Sequence, residues 1–243
     1  MLKQLLVLMF AAAAALTGAE RKMVLHLAFD EESGEVCRES SGNVPKEFRA
    51  TIVNPALVKR VPGRRGKALE FTAEDIRKGP FGYVQAEHFY DPSLQEGFTL
   101  EVWMKLGEKA DWMRGLMYLL CCSSSNYAPG FSVFYNWRYL MFPNETKNKI
   151  SAGVPDLRQR WTHVAATWDA KTKTARLYKD GQLVAEKKDL EYDCRPKPKH
   201  PVLLIGIGPS KNHRGFIGAL DEVKIYNYPL SNQEIMAHAA LEL

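Results

Sequence analysis

The sequence is short of the features that would place it in a membrane or on nucleic acid. After the first twenty residues no apolar run approaches the ~20 residues that a bilayer-spanning helix needs. The positive excess is small, +5 over 243 residues, and loss of Lys3 with the leader described below would lower it to +4. Such a balance does not indicate a nucleic-acid partner. Cysteine is scarce: Cys37, Cys121, Cys122 and Cys194 lack the Cys-x-x-Cys spacing of zinc or redox sites. There is no Gly-x-Ser-x-Gly elbow, no contiguous twelve-residue calcium loop, and no helix after Gly206-Ile-Gly208 to make a phosphate cradle. No linker and no internal repeat divides the chain. The hydrophobic share of 46% and charged share of 25% are ordinary for a globular protein and exclude a disordered or collagenous chain.

Aromatic residues are well represented at 11%, with 5 Trp and 10 Tyr, a composition that leans toward a β core or a sugar-binding surface. The N-terminus carries one cation, Lys3, then an apolar run from Leu5 to Leu16, then Thr17-Gly-Ala19. That pattern is a secretory signal peptide over residues 1–19, with the mature chain secreted or periplasmic. No cysteine at the cut offers a lipid attachment point. Export permits disulfides, and four cysteines allow three complete pairings. Adjacent Cys121 and Cys122 would point to opposite faces of a strand, and at least one should face the core. Cys37 and Cys194, in loop-like sequence, are the more plausible bridge.

From residue 20 to 243 the chain reads as one domain of short strands. Residues 98–105 alternate cleanly: Phe98, Leu100, Val102 and Met104 on one face, Thr99, Glu101, Trp103 and Lys105 on the other. Trp103 on the second face indicates an outer surface that is partly covered. Further strands are expected at 23–29, 68–71, 83–85, 115–122, 131–135, 139–142, 161–168, 174–178, 182–186, 202–207 and 216–226. Residues 31–43 and 45–67 read as loop and irregular segment. Asp180-Gly181 between two β runs is a hairpin signal. Ser231 followed by Glu234 is a capping box opening a short helix through Ala240. The pattern predicts an all-β, two-sheet antiparallel sandwich with a short C-terminal helix.

Several stretches, taken in order, carry a resemblance. They are Leu27-Ala-Phe29-Asp30 with Ser40-Ser41-Gly42-Asn43, Gly66-Lys-Ala68-Leu69-Glu-Phe71, Phe98-Thr-Leu-Glu-Val-Trp103 and Trp161-Thr-His163-Val-Ala. Leu177-Tyr-Lys-Asp180-Gly181 follows, and the set closes with Asp221-Glu222-Val-Lys-Ile-Tyr226-Asn227 before Pro229-Leu-Ser231. Together they resemble the laminin-G-like, concanavalin A-like jelly-roll domains of secreted bacterial proteins. The chain lacks the family's usual Gly-Asn-His-Gly flavour after Asn43 and carries a long insertion over residues 73–95. The resemblance implies a jelly roll whose first and last strands run side by side, and a fold that hosts lectins, adhesion modules and some glycan-cleaving enzymes.

Three constellations could carry function. Asp221 falls in register with Val223 and Ile225, hence on the expected core face, where a carboxylate needs compensation. With Asp30 and Asn43 it could hold structural calcium, as some members of the resembled family do at loop ends. The simpler reading is that Asp221 caps loop N–H groups or pairs with an Arg. The second constellation is an aromatic platform of Trp112, Tyr127, Trp137 and Tyr139 with Arg138, near Asn126 and Asn136, on which sugar C–H faces could stack. Trp103, Trp161 and Trp168 read as core, and so does His163. The third is the basic set Lys59, Arg60, Arg64, Arg65 and Lys67, with Arg195, Lys197 and Lys199, which reads as a solvated loop and otherwise as a site for sulfated or carboxylated polysaccharide. The catalytic patterns that the resemblance implies for enzymes of this fold are not reproduced: Glu191-Tyr-Asp193 starts like the hydrolases' Glu-x-Asp-x-x-Glu strand but places Pro196 at the final acid, and Gln85-Ala-Glu-His88 does not form the lyases' Gln-x-His arrangement. The expectation is a non-catalytic module that binds carbohydrate or a cell-surface glycan, with a hydrolase or lyase, or a protein adhesion module, as alternatives.

Overall fold

Period-two alternation builds the centre of the molecule. In the computed structural model the described residues are 20–75, 78–89, 91–110, 116–123, 130–136, 139–142, 149–192, 202–209, 211 and 214–241. The strands among them are β1 (Met23–Leu27), β2 (Val36–Cys37), β3 (Arg49–Val53), β4 (Val58–Pro62), β5 (Lys67–Phe71), β6 (Tyr83–Glu87), β7 (Gly97–Leu106) and β8 (Leu116–Ser123). They continue with β9 (Gly130–Asn136), β10 (Tyr139–Phe142), β11 (Ile150–Gly153), β12 (Trp161–Asp169), β13 (Thr174–Lys179), β14 (Gln182–Lys187), β15 (Leu203–Ile205) and β16 (Gly218–Tyr226), followed by helix α1 (Asn232–Leu241).

These strands form two eight-stranded sheets. The first runs β14-β13-β12-β7-β16-β5-β4, with β1 also on β16. The second runs β11-β10-β9-β8-β15-β6-β3-β2. Every strand pairing is antiparallel. As the alternation requires, Phe98, Leu100, Val102 and Met104 enter the core between the sheets with Val164, Ala166 and Trp168. Phe98 meets Phe142 of the opposite sheet edge-to-face at 5.8 Å, a favoured aromatic geometry. Cys122 joins this core and Cys121 the smaller cluster containing Tyr83 and Tyr118, so the adjacent pair does face opposite ways.

The outer face of the first sheet is covered in turn. The Ser231 hydroxyl accepts the Glu234 N–H at 3.2 Å, and Glu234 Oε2 accepts the Ser231 N–H at 2.7 Å. That closes the expected capping box. Ile235 of α1 packs with Ala165, Tyr178, Tyr226 and Leu230. Asp180 and Gly181 both have positive φ, 48° and 77°, as a type I′ turn demands. Among the described residues no helix is long and apolar enough to cross a membrane.

Three readings need correction. Residues 45–67 are not irregular but hold β3 and β4, and β2 and β11 were not expected at all. The Cys37–Cys194 bridge is not formed: Cys37 is a buried free thiol, Cys121 and Cys122 are buried and carry no disulfide, and Cys194 lies outside the described residues. Asp221 does not share a face with Val223 and Ile225. A bulge between Asp221 and Lys224, with Glu222 left-handed at φ 50°, adds a residue to the strand and shifts the alternation. Leu220, Val223 and Ile225 therefore line the core, and Asp221 turns outward.

Candidate functional site

The bulge lies where β16 changes neighbours. Gly218–Leu220 pair with β5 and Val223–Tyr226 with β1. The loop joining β4 to β5, residues 63–66, crosses the outer face of the sheet at this handover. Asp221 Oδ2 accepts the N–H groups of Arg64 (2.7 Å) and Arg65 (3.1 Å), and Oδ1 accepts that of Glu222 (2.8 Å). Asp30 Oδ1 accepts the Lys67 N–H at 2.8 Å. Gly63 approaches Asp221 so closely that a Cβ would stand 2.5 Å from Oδ2. Gly66 has φ +54°, and its Cβ would collide with Asp30. Burial pushes the Asp221 carboxyl up to about 7 against the pull of its backbone donors. Two carboxylates thus fix one loop, which sends consecutive arginines to different clefts.

Arg64 enters a cleft of about 430 Å³ lined by Trp103, Arg160, Trp161, Asp180 and Gln182, with Met236 of α1 on its wall. Its guanidinium lies 4.7 Å over the Trp103 ring, a cation–π contact. Its Nε and Nη2 are buried without a hydrogen-bond partner. Half-buried Trp161 also walls a second cleft of about 240 Å³ with Glu70, Lys105 and Gln159. Below the first cleft, buried Glu101 holds His238 Nδ1 at 3.0 Å and lies 3.6 Å from His163 Nε2. Glu101 is 2% exposed, so no solvent-borne substrate reaches its carboxylate.

Arg65 lines the other cleft, about 410 Å³, with His26, Arg38, Ser40 and Glu222. Ser40 Oγ is 2.8 Å from His26 Nδ1, and His26 Nε2 is 3.0 Å from Glu222 Oε2. Lys224 Nζ lies 2.8 Å from the same oxygen. Burial pushes the Glu222 carboxyl upward, but hydrogen bonds from His26 and Lys224 outweigh it and hold the group at about 2. An ionised Glu222 only accepts, so a neutral His26 keeps its proton on Nε2 and offers Nδ1 to the Ser40 hydroxyl. Hydroxyl, imidazole and carboxylate stand in the order used for acyl transfer. The next N–H groups, of Ser41 and Gly42, are however both bound by the Glu39 carboxylate at 2.6 and 3.0 Å and are not free to hold an oxyanion. The relay ties the 39–43 loop to β1 and β16.

The structure brings Asp30 and Asp221 to one loop but not Asn43, whose Nδ2 donates to Met23 O at 2.9 Å, at the opposite end of β1. The Asp221 oxygens and Asp30 Oδ1 accept backbone N–H groups, so these three residues do not fit a shared calcium ion. Among the described residues no group of three or more His, Cys, Asp or Glu could hold a metal. Of the aromatic platform, Trp112, Tyr127, Trp137 and Arg138 lie outside the described residues, and Tyr139 opens β10, paired with Asn136 across the hairpin. Trp168 is core as expected. Trp103 is buried on the outer face, and Trp161, read as core, lines two clefts. Its place at the first position of β12 was the available signal, because strand ends reach the rim of a sheet. Arg60, read as solvated, pairs with Glu31 at 2.8 Å and donates to Phe29 O at 2.9 Å.

Known proteins share this architecture. Residues 78–236 match the family model described as the concanavalin A-like lectin/glucanases superfamily. Among curated proteins no relative matches in sequence. Domain 4 of AbnA, a GH43 extracellular arabinanase from Geobacillus stearothermophilus solved in complex with arabinotriose, superposes with a TM-score of 0.64 at 16% identity, covering 91% of this chain and 100% of that one. The binding domain of botulinum neurotoxin DC, solved with rat synaptotagmin II, gives 0.61 at 13% identity, covering 91% of this chain and 52% of that one. The botulinum neurotoxin type G receptor binding domain gives 0.63 at 13%, covering 91% and 51%. The chain thus spans about half the length of these toxin domains. At such identities the likeness is one of fold.

Proposed function

The chain belongs to the concanavalin A-like lectin/glucanases superfamily, and from that premise we propose that it is a non-catalytic binding module that recognises carbohydrate on the outer face of its first sheet. The observation that carries this reading is half-buried Trp161 forming the common wall of two adjacent clefts. Arg160, Asp180 and Gln182 line one of the clefts it borders, and Glu70, Lys105 and Gln159 the other. An indole flanked by directional polar groups is what a pyranose or furanose needs: ring C–H groups lie on the aromatic face while hydroxyls bond at the rim. The sugar-bound arabinanase domain supports a saccharide as ligand, while the synaptotagmin-bound toxin domain keeps a protein partner as the competing outcome.

A glycan array probed with the purified chain tests this reading. Binding to at least one glycan class is expected, with a loss of about tenfold or more in affinity for Trp161→Ala, worth about 1.4 kcal/mol of stacking. A parallel Trp137→Ala variant separates the two platforms. If it alone loses binding, the site moves to the β9–β10 hairpin. If no glycan is retained at all, the carbohydrate reading falls and the adhesion reading takes its place.

A further inference from the structure

We infer that the glycan carries an anionic substituent, a carboxylate or a sulfate, seated on Arg64 beside Trp103 and Trp161. This rests on the carbohydrate reading and adds the chemical class of the ligand.

The charges around the larger cleft are unevenly matched. Asp180, the one acid among the described residues lining it, is committed: Oδ2 receives Arg160 at 3.2 Å and Lys179 at 2.5 Å, and Oδ1 receives the His163 N–H at 3.0 Å. Glu101 lies beneath, bound to His238. Asp221 is occupied by three backbone donors. Arg160 and Lys179 therefore have their counter-charge, whereas the Arg64 guanidinium has two buried nitrogens without an acceptor. Trp103 stabilises its positive charge through the ring face but accepts no in-plane hydrogen bond. Buried donors left unmatched are costly, and the fold nevertheless holds this residue in place. Asp221 grips its backbone N–H, and Gly63 leaves no room for a side chain at the preceding position.

A guanidinium edge presents parallel N–H groups whose spacing matches two oxygens of a planar carboxylate, and it accommodates a sulfate equally. The Nε–Nη2 edge is shielded from solvent, so the seat forms when the partly exposed Arg64 side chain turns that edge toward the cleft it lines. A hydroxyl of a neutral sugar offers one acceptor and no charge. With Trp161 on the wall of the same cleft, a sugar ring stacked on that indole could direct an acidic substituent toward Arg64. Arg65, one residue on, faces the His26 cleft and has no part in the contact.

The test is affinity measured by titration calorimetry against three polymers: polygalacturonate, a sulfated galactan and a neutral galactan. The chain is compared with Arg64→Gln, Arg64→Lys and Arg65→Gln, each checked for an unaltered melting temperature. One or both anionic polymers should bind about tenfold or more tightly than the neutral one, with the advantage shrinking at about 0.3 M salt. Arg64→Gln should erase the advantage, Arg64→Lys should restore only part of it through charge without the fork, and Arg65→Gln should retain it. The pair of anionic arms decides between carboxylate and sulfate. Equal binding of neutral and anionic polymers, or a preference that survives Arg64→Gln, overturns the inference while leaving the carbohydrate reading standing. Failure to bind any of the three, together with a blank array, removes both.

Discussion

Two neighbouring acids in β16 meet opposite fates. Glu222 is held ionised by a lysine and a histidine, whereas burial drives Asp221 toward the neutral form. Because Asp221 rises from 3.8 to about 7 on folding, the folded chain binds the proton more tightly than the unfolded one. The stabilisation is full below pH 4 and is lost as pH climbs through 7. Melting temperature should therefore fall between pH 5 and pH 8, a loss on the order of a few kcal/mol, and Asp221→Asn should flatten that slope. A wild-type curve that is level or rising over this range would refute the assignment. The sequence exposed the problem at this position, a carboxylate inside an apolar strand, and one of the expected remedies, capping of loop N–H groups, is the one observed. Its face was misread because alternation counts two residues per step, and a bulge leaves no mark in that count until a residue such as Glu222 is seen at positive φ.

Among the elements, central strands with an uninterrupted period of two were readable, whereas the border strands β2, β4 and β11, and β3 beside β2, were not. β7 and β12 are central and alternate as expected. β4 lies at the border of its sheet and carries Lys59, Arg60 and Pro62, residues that blunt an exposed edge and disguise the strand. The loop after it reads as basic and solvated, yet Asp30 and Asp221 convert it into a fixed spacer that aims Arg64 and Arg65. Its rigidity depends on Gly66, which combines a left-handed φ with contact to Asp30. Gly66→Ala should lower stability by about 2 kcal/mol, read as a reduced urea midpoint at constant m. It should also weaken glycan binding, because the loop no longer presents Arg64. A variant as stable as the parent would show that the loop adapts without strain.

At the scale of the whole molecule, the core of the described residues is held by packing and not by cross-links. Cys37, Cys121 and Cys122 are buried and unbridged, and burial pushes the Cys37 thiol up to about 12. Thiolate being the reactive form, Cys37 should resist alkylation at pH 8 in the native state, Cys121 and Cys122 should be shielded by burial, and all three should label fully in denaturant without prior reduction. A requirement for reductant would contradict the arrangement. The sequence conveyed the two sheets, their mutual face and the terminal helix, because each follows from local period and capping. It did not convey the cleft beside Trp103, which arises where Trp161, the 63–66 loop and α1 converge from three distant parts of the chain.

One pairing joins the two ends of the described chain. β1 is the earliest strand of the described chain, and it lies on β16, with Asn227 fastened to the Lys22 main chain through its N–H and side-chain oxygen. The same late strand also separates β5 from β7. A polypeptide still growing toward residue 218 would thus own every other strand of that sheet yet have no seam to close it, and the sheet closes only once residues 218–226 have been made.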